Sequence, residues 1–222
     1  MDPISVWRVG LDKPIEQAIH LLSPDEKAHA AKLGPPDVAA RWIASRAALR
    51  MILADHLRLL PTEIVFAAGL SGKPELAGGE VEFNLSHSED IMLLAIGPVR
   101  VGIDVERRRT MQDYPQLARH FFSPHERDLL DSLPPEQRHH GFFRCWCHKE
   151  AYIKGRGDGL SHDLESFSVE LRPDHPPTLL ESQDGEVWTL FDLDAGPHHC
   201  AALAVEGEGR TYHMQDWHPA LA

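Results

Sequence analysis

Glu150 and Lys154 lie four residues apart in the stretch FFRCWCHKEAYIKGRGDGL, residues 142–160. The stretch reads as a helix that stops at Gly155, since glycine commonly follows a helix end and Gly157 and Gly159 come after it. At about 100° per residue, Phe143, Trp146, Cys147, Glu150 and Lys154 share one face. Arg144, Cys145, His148, Lys149 and Tyr152 share the other. A glutamate and a lysine at this spacing are most often a solvated pair. Here they stand in the middle of the apolar stripe, where charge is costly to bury unless something pairs with it. The helix is therefore expected to deliver a carboxylate and an ammonium into a site.

Asp104 and Glu106 add to that chemistry. They alternate with Val101, Ile103 and Val105, so a strand there packs its apolar side and projects both carboxylates from the other. Alone, such a pair is usually the wet side of a sheet. Joined by Glu150, the carboxylates would repel one another and resist ionisation unless a cation sat among them. Hard oxygen ligands suit Mg²⁺, which keeps some waters and borrows other ligands from substrate phosphates. The combination points to a magnesium site serving a diphosphate. The segment Phe83-Asn84-Leu85-Ser86-His87-Ser88 ends a strand in a polar turn. It reads equally as a hairpin loop with local serine hydrogen bonds or as an anion contact through hydroxyl and imidazole. Zinc at Cys145-Trp146-Cys147-His148 is disfavoured, because on a helix the sulfurs point about 200° apart.

The elements that must position these residues fall into two similar runs. Ser23-Pro24-Asp25-Glu26 has a capping serine, a proline at the first helical position and a glutamate that closes a capping box. That helix ends at Gly34-Pro35-Pro36. A longer one is expected over 37–56, with Val38, Trp42, Leu49, Ile52 and Leu53 facing inward. Arg41 and Arg46 flank that face, where arginines usually snorkel and where the anions of a phosphate-bearing ligand would be met. Strands are expected at 63–67, 81–85, 91–96 and 101–106, with a glycine-rich loop over 69–79. Then Ser123-Pro124-His125-Glu126 repeats the helix start. A helix to about Leu133, a Pro134-Pro135 break, the long helix ending at Gly155, and strands at 166–171, 187–193 and 200–205 follow. The expected fold is α+β: a pseudo-twofold pair of lobes, 1–98 and 99–222, each with two helices and then about three strands, enclosing a cleft.

Bulk properties exclude several classes. A formal net charge of −12 argues against nucleic acid, which needs a broad basic footprint. The cysteines, Cys145, Cys147 and Cys200, are too few for a disulfide framework. The N-terminal residues lack a basic start followed by an apolar run, and the longest apolar run, Ile91 to Ile96, is too short to span a bilayer. A cytoplasmic protein with no membrane partner is expected. Of the 15 histidines, only His87 is given a functional role.

Four motifs stand in order: Gly72-Lys73-Pro74, the Phe83–Ser88 segment, Gly102-Ile103-Asp104-Val105-Glu106, and Trp146-x-x-Lys149-Glu150-Ala151-x-x-Lys154. Together they resemble the two-domain, Sfp-type class of 4′-phosphopantetheinyl transferases, over roughly residues 20 to 205. The Phe121-Phe122-Ser123-Pro124 segment is also similar. The resemblance implies transfer of phosphopantetheine from coenzyme A to a serine hydroxyl of an acyl or peptidyl carrier protein, dependent on Mg²⁺, with release of adenosine 3′,5′-bisphosphate. By motif position, Asp104, Glu106 and Glu150 would hold the metal. Glu150 would deprotonate the serine, and Lys154 would neutralise the pyrophosphate. His87 and Arg41 match positions at the 3′-phosphate, with Lys27 and Lys32 as further candidates. Ser86, Lys73 and Pro74 match the adenosine side, and Lys149 is structural or a secondary contact. Carrier docking is expected near Arg107-Arg108-Arg109 and the segment 111–122. A monomer is expected, because the internal duplication already supplies a partner lobe.

Two rivals share part of this reading. A Mg²⁺-dependent nucleotide pyrophosphohydrolase needs the same carboxylates but no protein acceptor. A non-catalytic coenzyme A- or carrier-binding module would not need Glu150 and Lys154.

Overall fold

The computed structural model describes residues 2–12, 15, 18–69, 72–79, 81–157, 163–182 and 185–219. Leu70 and Ser71 of the glycine-rich loop, and the 158–160 end of the long-helix stretch, lie outside them. In chain order the first elements are β1 (Ile4–Gly10), α1 (Ala18–Leu21), α2 (Pro24–Ala30), α3 (Pro36–Leu57), β2 (Phe66–Ala68) and β3 (Pro74–Leu76). Next come β4 (Glu82–Ser88), β5 (Ile91–Gly97), β6 (Val101–Arg107), α4 (Tyr114–Phe121), α5 (Pro124–Ser132) and α6 (Pro135–Arg156). The chain finishes with β7 (Ser168–Val169), β8 (Leu179–Glu181), β9 (Trp188–Asp192), β10 (His199–Glu206) and β11 (Tyr212–Trp217). The mixed α+β class is as expected. Among the described residues no helix is long and apolar enough to cross a membrane.

One sheet has the order β11-β1-β5-β4 and a second the order β6-β10-β9. Strand alternation stacks the layers. Met92, Leu94 and Ile96 of β5 join the α3 residues Leu49, Ile52 and Leu53 in one core. Leu93 and Ala95 face the other way, into a core shared with Val101, Ile103 and Val105 of β6 and Leu203 and Val205 of β10. Both faces of β5 are thus covered, which is why Ile91 to Ile96 is apolar throughout. Beyond the second sheet, Ala202 and Ala204 of β10 pack with Phe143, Cys147 and Ala151 of α6 in a third core. The layers run helix, sheet, sheet, helix.

β6 pairs with β10 and not with β5. Two expectations are corrected. Val38 is 40% exposed and does not face inward, since α3 begins at Pro36 before its core contacts start. The long helix continues past Gly155 to Arg156 and is stopped by Gly157, whose φ of 79° is the left-handed cap. β1 and β11, which the sequence reading did not identify, are parallel partners.

Gly155 has a different task. A Cβ placed on Gly102 would stand 1.9 Å from the Ala151 carbonyl oxygen and 2.2 Å from the Gly155 nitrogen. β6 and α6 therefore touch backbone to backbone where the two glycines meet. Gly102→Ala is expected to lower the unfolding free energy by about 3 kcal/mol, the upper range for forced overpacking. A urea midpoint equal to that of the parent would show that α6 can back away without cost.

Candidate active site

The Gly102–Gly155 contact sets the spacing between β6 and the last turns of α6. Asp104, two residues along β6, is 2% exposed on the side that faces α6. Lys154 Nζ donates to Asp104 Oδ1 at 2.5 Å and to Ser86 Oγ at 3.2 Å. Ser86 Oγ in turn donates to the same Asp104 oxygen at 3.0 Å. The β4 strand, the β6 strand and the α6 helix thus converge on one triad of polar groups. Burial would lower the Lys154 ammonium, but the Asp104 carboxylate, with Glu150 adding, holds it above its ordinary value.

Glu150 stands one turn before Lys154 and is half-buried. Burial chiefly raises its carboxyl; Asp104 raises it further, while Lys154 opposes. Burial followed by Asp104 likewise raises Glu106, against the pull of Lys154, Ser88 and Arg109. Both carboxyls feel the like charge of Asp104, so the three acids belong to one electrostatic neighbourhood. Among the described residues, however, no three His, Cys, Asp or Glu side chains stand close enough to surround one ion. The expected gathering of Asp104, Glu106 and Glu150 is incomplete, and the Lys154 ammonium sits on Asp104 Oδ1. The donor set still fits a hard divalent cation. Asp104 Oδ2 is buried with no hydrogen-bond partner, and a cation would offset the like charge of Asp104 that adds to burial in raising Glu106 and Glu150.

The remaining sequence candidates divide. Lys73 is half-buried near the start of β6, donating to the Val101 carbonyl at 3.3 Å with Glu82 at 4.0 Å. Burial lowers its ammonium. Pro74 opens β3 beside it. The His87 imidazole is held below its usual value, first by partial burial and then by Lys154. Arg41 pairs with Asp37 at 2.9 Å on the open side of α3, and no hydrogen bond or ion pair among the described residues ties it to the Asp104 cluster. Arg46, one turn on, lies over the Trp42 and Phe66 rings with its buried Nε 3.5 Å from Glu26 Oε1, an ion pair. Lys27 and Lys32 are exposed.

The face of α6 opposite Glu150 holds more buried charge than the wheel suggested. Lys149 is 1% exposed and donates to both Glu126 carboxylate oxygens at 2.7 Å and to the Phe167 carbonyl at 2.7 Å. Its role is structural. Arg144 makes a two-pronged bond to Asp192 at 2.9 and 2.7 Å, and His148 Nε2 meets the same carboxylate at 2.9 Å. Burial would raise Asp192, but His148 and Arg144 hold it well below the usual carboxylate range. Glu126 was visible in sequence only as a capping residue, and Asp192 carried no local signal at all.

Beside Glu106 a cleft of about 280 Å³ opens between β6 and α6. Arg107 and Arg109 line it together with Met111, Leu117, Phe142, Phe143 and Trp146. Its lining is thus apolar apart from Glu106 and the two arginines.

Comparison with known proteins matches residues 100–204 to the 4′-phosphopantetheinyl transferase superfamily. The chain is 39% identical over 225 residues to the 4′-phosphopantetheinyl transferase HetI of a Nostoc species, covering 98% of this chain and 92% of that one. It is 27% identical over 220 residues to a 4′-phosphopantetheinyl transferase of Bacillus subtilis, covering 91% and 97%. Against the 4′-phosphopantetheinyl transferase Sfp of Bacillus subtilis the identity is 29% over 178 residues, covering 77% and 78%.

Proposed function

This chain belongs to the 4′-phosphopantetheinyl transferases, and from that premise we propose that it moves the 4′-phosphopantetheine group of coenzyme A to a serine hydroxyl of an acyl or peptidyl carrier protein. Adenosine 3′,5′-bisphosphate is the other product. The observation that carries this reading is the junction of β4, β6 and α6, where Lys154 joins Asp104 to Ser86 with Glu150 in electrostatic range.

Asp104, Glu106 and Glu150 would hold Mg²⁺, which when bound supplies charge neutralisation on the pyrophosphate. Glu150, raised by burial, suits a group that takes the proton of the incoming serine. Lys154 stays protonated beside Asp104 and offsets charge on the departing bisphosphate. Ser86, His87, Lys73 and Pro74 face coenzyme A, with Arg41 on the open side of α3 available to its phosphates, while Arg46 is paired with Glu26. The reaction asks for positioning and neutralisation more than for covalent work by the protein.

The architecture we propose is a pair of related lobes, 1–98 and 99–222, sufficient as a monomer. Supporting this, Ser23 and Ser123 both close capping boxes, with Glu26 and Glu126 respectively. Each of those glutamates is then paired with a cation of the 22-residue helix that follows: Glu26 with Arg50, Glu126 with Lys149. Free cysteines and the lack of a spanning helix among the described residues agree with a cytoplasmic setting. Carrier proteins are expected to dock across Arg107 to Arg109 and the 111–122 segment, beside the cleft at Glu106, because that surface offers local basic charge on a chain of net −12.

The test is incubation of apo carrier proteins with coenzyme A and Mg²⁺, read by mass spectrometry. A gain of about 340 Da on the carrier is expected; coenzyme A cleavage without that gain would indicate a pyrophosphohydrolase, and neither event a binding module. Charge reversal at Arg107 to Arg109 should raise the carrier KM in the same assay, and an unchanged KM would move docking elsewhere.

A further inference from the structure

β4 and β6 run side by side but belong to different sheets. Side chains, not backbone pairs, span the seam between them. Asn84, Ser86 and Ser88 alternate along one face of β4, and each reaches β6 in step. Asn84 Oδ1 accepts the Ile103 N–H at 2.8 Å. Ser86 Oγ meets Asp104. Ser88 Oγ accepts the Arg107 N–H at 3.0 Å and lies 3.4 Å from Glu106 Oε2.

We propose that Ser88 is a positioning residue for Glu106, the last rung of a side-chain ladder that aims both β6 carboxylates at the metal site. A serine hydroxyl has one proton to give and lone pairs to receive. The Arg107 N–H fills an acceptor position and turns the Ser88 proton toward the carboxylate. Glu106 Oε2 is then tethered, and its other oxygen remains free for a cation. Ser86 does the equivalent for Asp104 but also meets Lys154; Ser88 bonds Glu106 and the Arg107 N–H, so it can be tested without disturbing the ammonium. Groups that hold a ligating side chain in place typically change metal affinity by about 10- to 100-fold when removed.

The inference rests on Glu106 being a metal ligand, and the experiment separates the two. Mn²⁺ is titrated into the protein saturated with coenzyme A, without carrier, and free ion is read by electron paramagnetic resonance. Ser88→Ala is expected to weaken Mn²⁺ binding about 10-fold with an unchanged circular dichroism spectrum, and Ser88→Thr, which keeps the hydroxyl, to restore it. Equal affinity in Ser88→Ala and the parent overturns the role of Ser88 while leaving the metal reading intact. Equal weakening by Ser88→Thr also overturns it, since the hydroxyl is then not what matters. If Glu106→Gln binds Mn²⁺ as the parent does, or the parent binds none beyond coenzyme A alone, both the ligand reading and the inference fall.

Discussion

Glu150→Gln is expected to leave coenzyme A bound while slowing phosphopantetheine transfer by about 10²- to 10⁴-fold, the usual worth of a positioned proton acceptor. Glutamine keeps the shape of the side chain and removes the charge that interacts with Lys154 and Asp104. It also cannot accept the serine proton. Removing a like charge near Asp104 slightly eases the local repulsion, so the fold should not suffer. The transfer rate on an apo carrier, followed by mass, and the coenzyme A Kd by calorimetry check the two halves of this expectation. Transfer at the parental rate would discard the role given to Glu150. Loss of coenzyme A binding together with transfer would make it a binding residue first.

Lys149→Met carries the largest expected cost in stability, about 3–5 kcal/mol, because breaking one partner of a buried pair strands the other. Glu126 is fully buried and would keep the Ser123 and Val169 N–H donors and the Cys145 thiol but lose its cation. Lys149 also packs over the Phe167 ring at 4.1 Å, a contact methionine retains in part. The urea midpoint measures the loss. A double variant, Lys149→Met with Glu126→Gln, should recover part of it by removing the stranded charge. If Lys149→Met were instead as stable as the parent but slow with carriers, Lys149 would be a substrate contact and not a structural one.

The site was more legible than its supports. Alternation alone placed Asp104 and Glu106 on the face opposite Val101, Ile103 and Val105, and that is where β6 puts them. The two Ser-Pro-x-Glu starts were readable because a capping box is local: its partners are three residues apart. What was missed depends on residues far along the chain. Arg144, His148 and Lys149 looked like a polar stripe, and only Glu126 and Asp192, arriving from other elements, let that stripe be buried. Gly155 reads as a helix end because glycine has two uses that look alike in sequence. Here it is a flat spot for Gly102, and Gly157 does the stopping. β1 and β11 escaped notice since a parallel pairing between strands this far apart leaves no trace in any short window.

That pairing bears on how the molecule is made and divided. Ile4 waits for Tyr212, so at a synthesis rate of ~5–20 residues per second the nascent β1 edge stays uncovered for roughly 10–40 s. An open strand edge is a template for pairing with a neighbouring chain, and slow translation or truncation before the final strand should favour aggregates over folded product. For the same reason, severing the gene near residue 98 to build a split reporter would leave the N-terminal fragment lacking its outermost strand. A circular permutant that moves 212–217 ahead of β1 would keep that strand with its sheet.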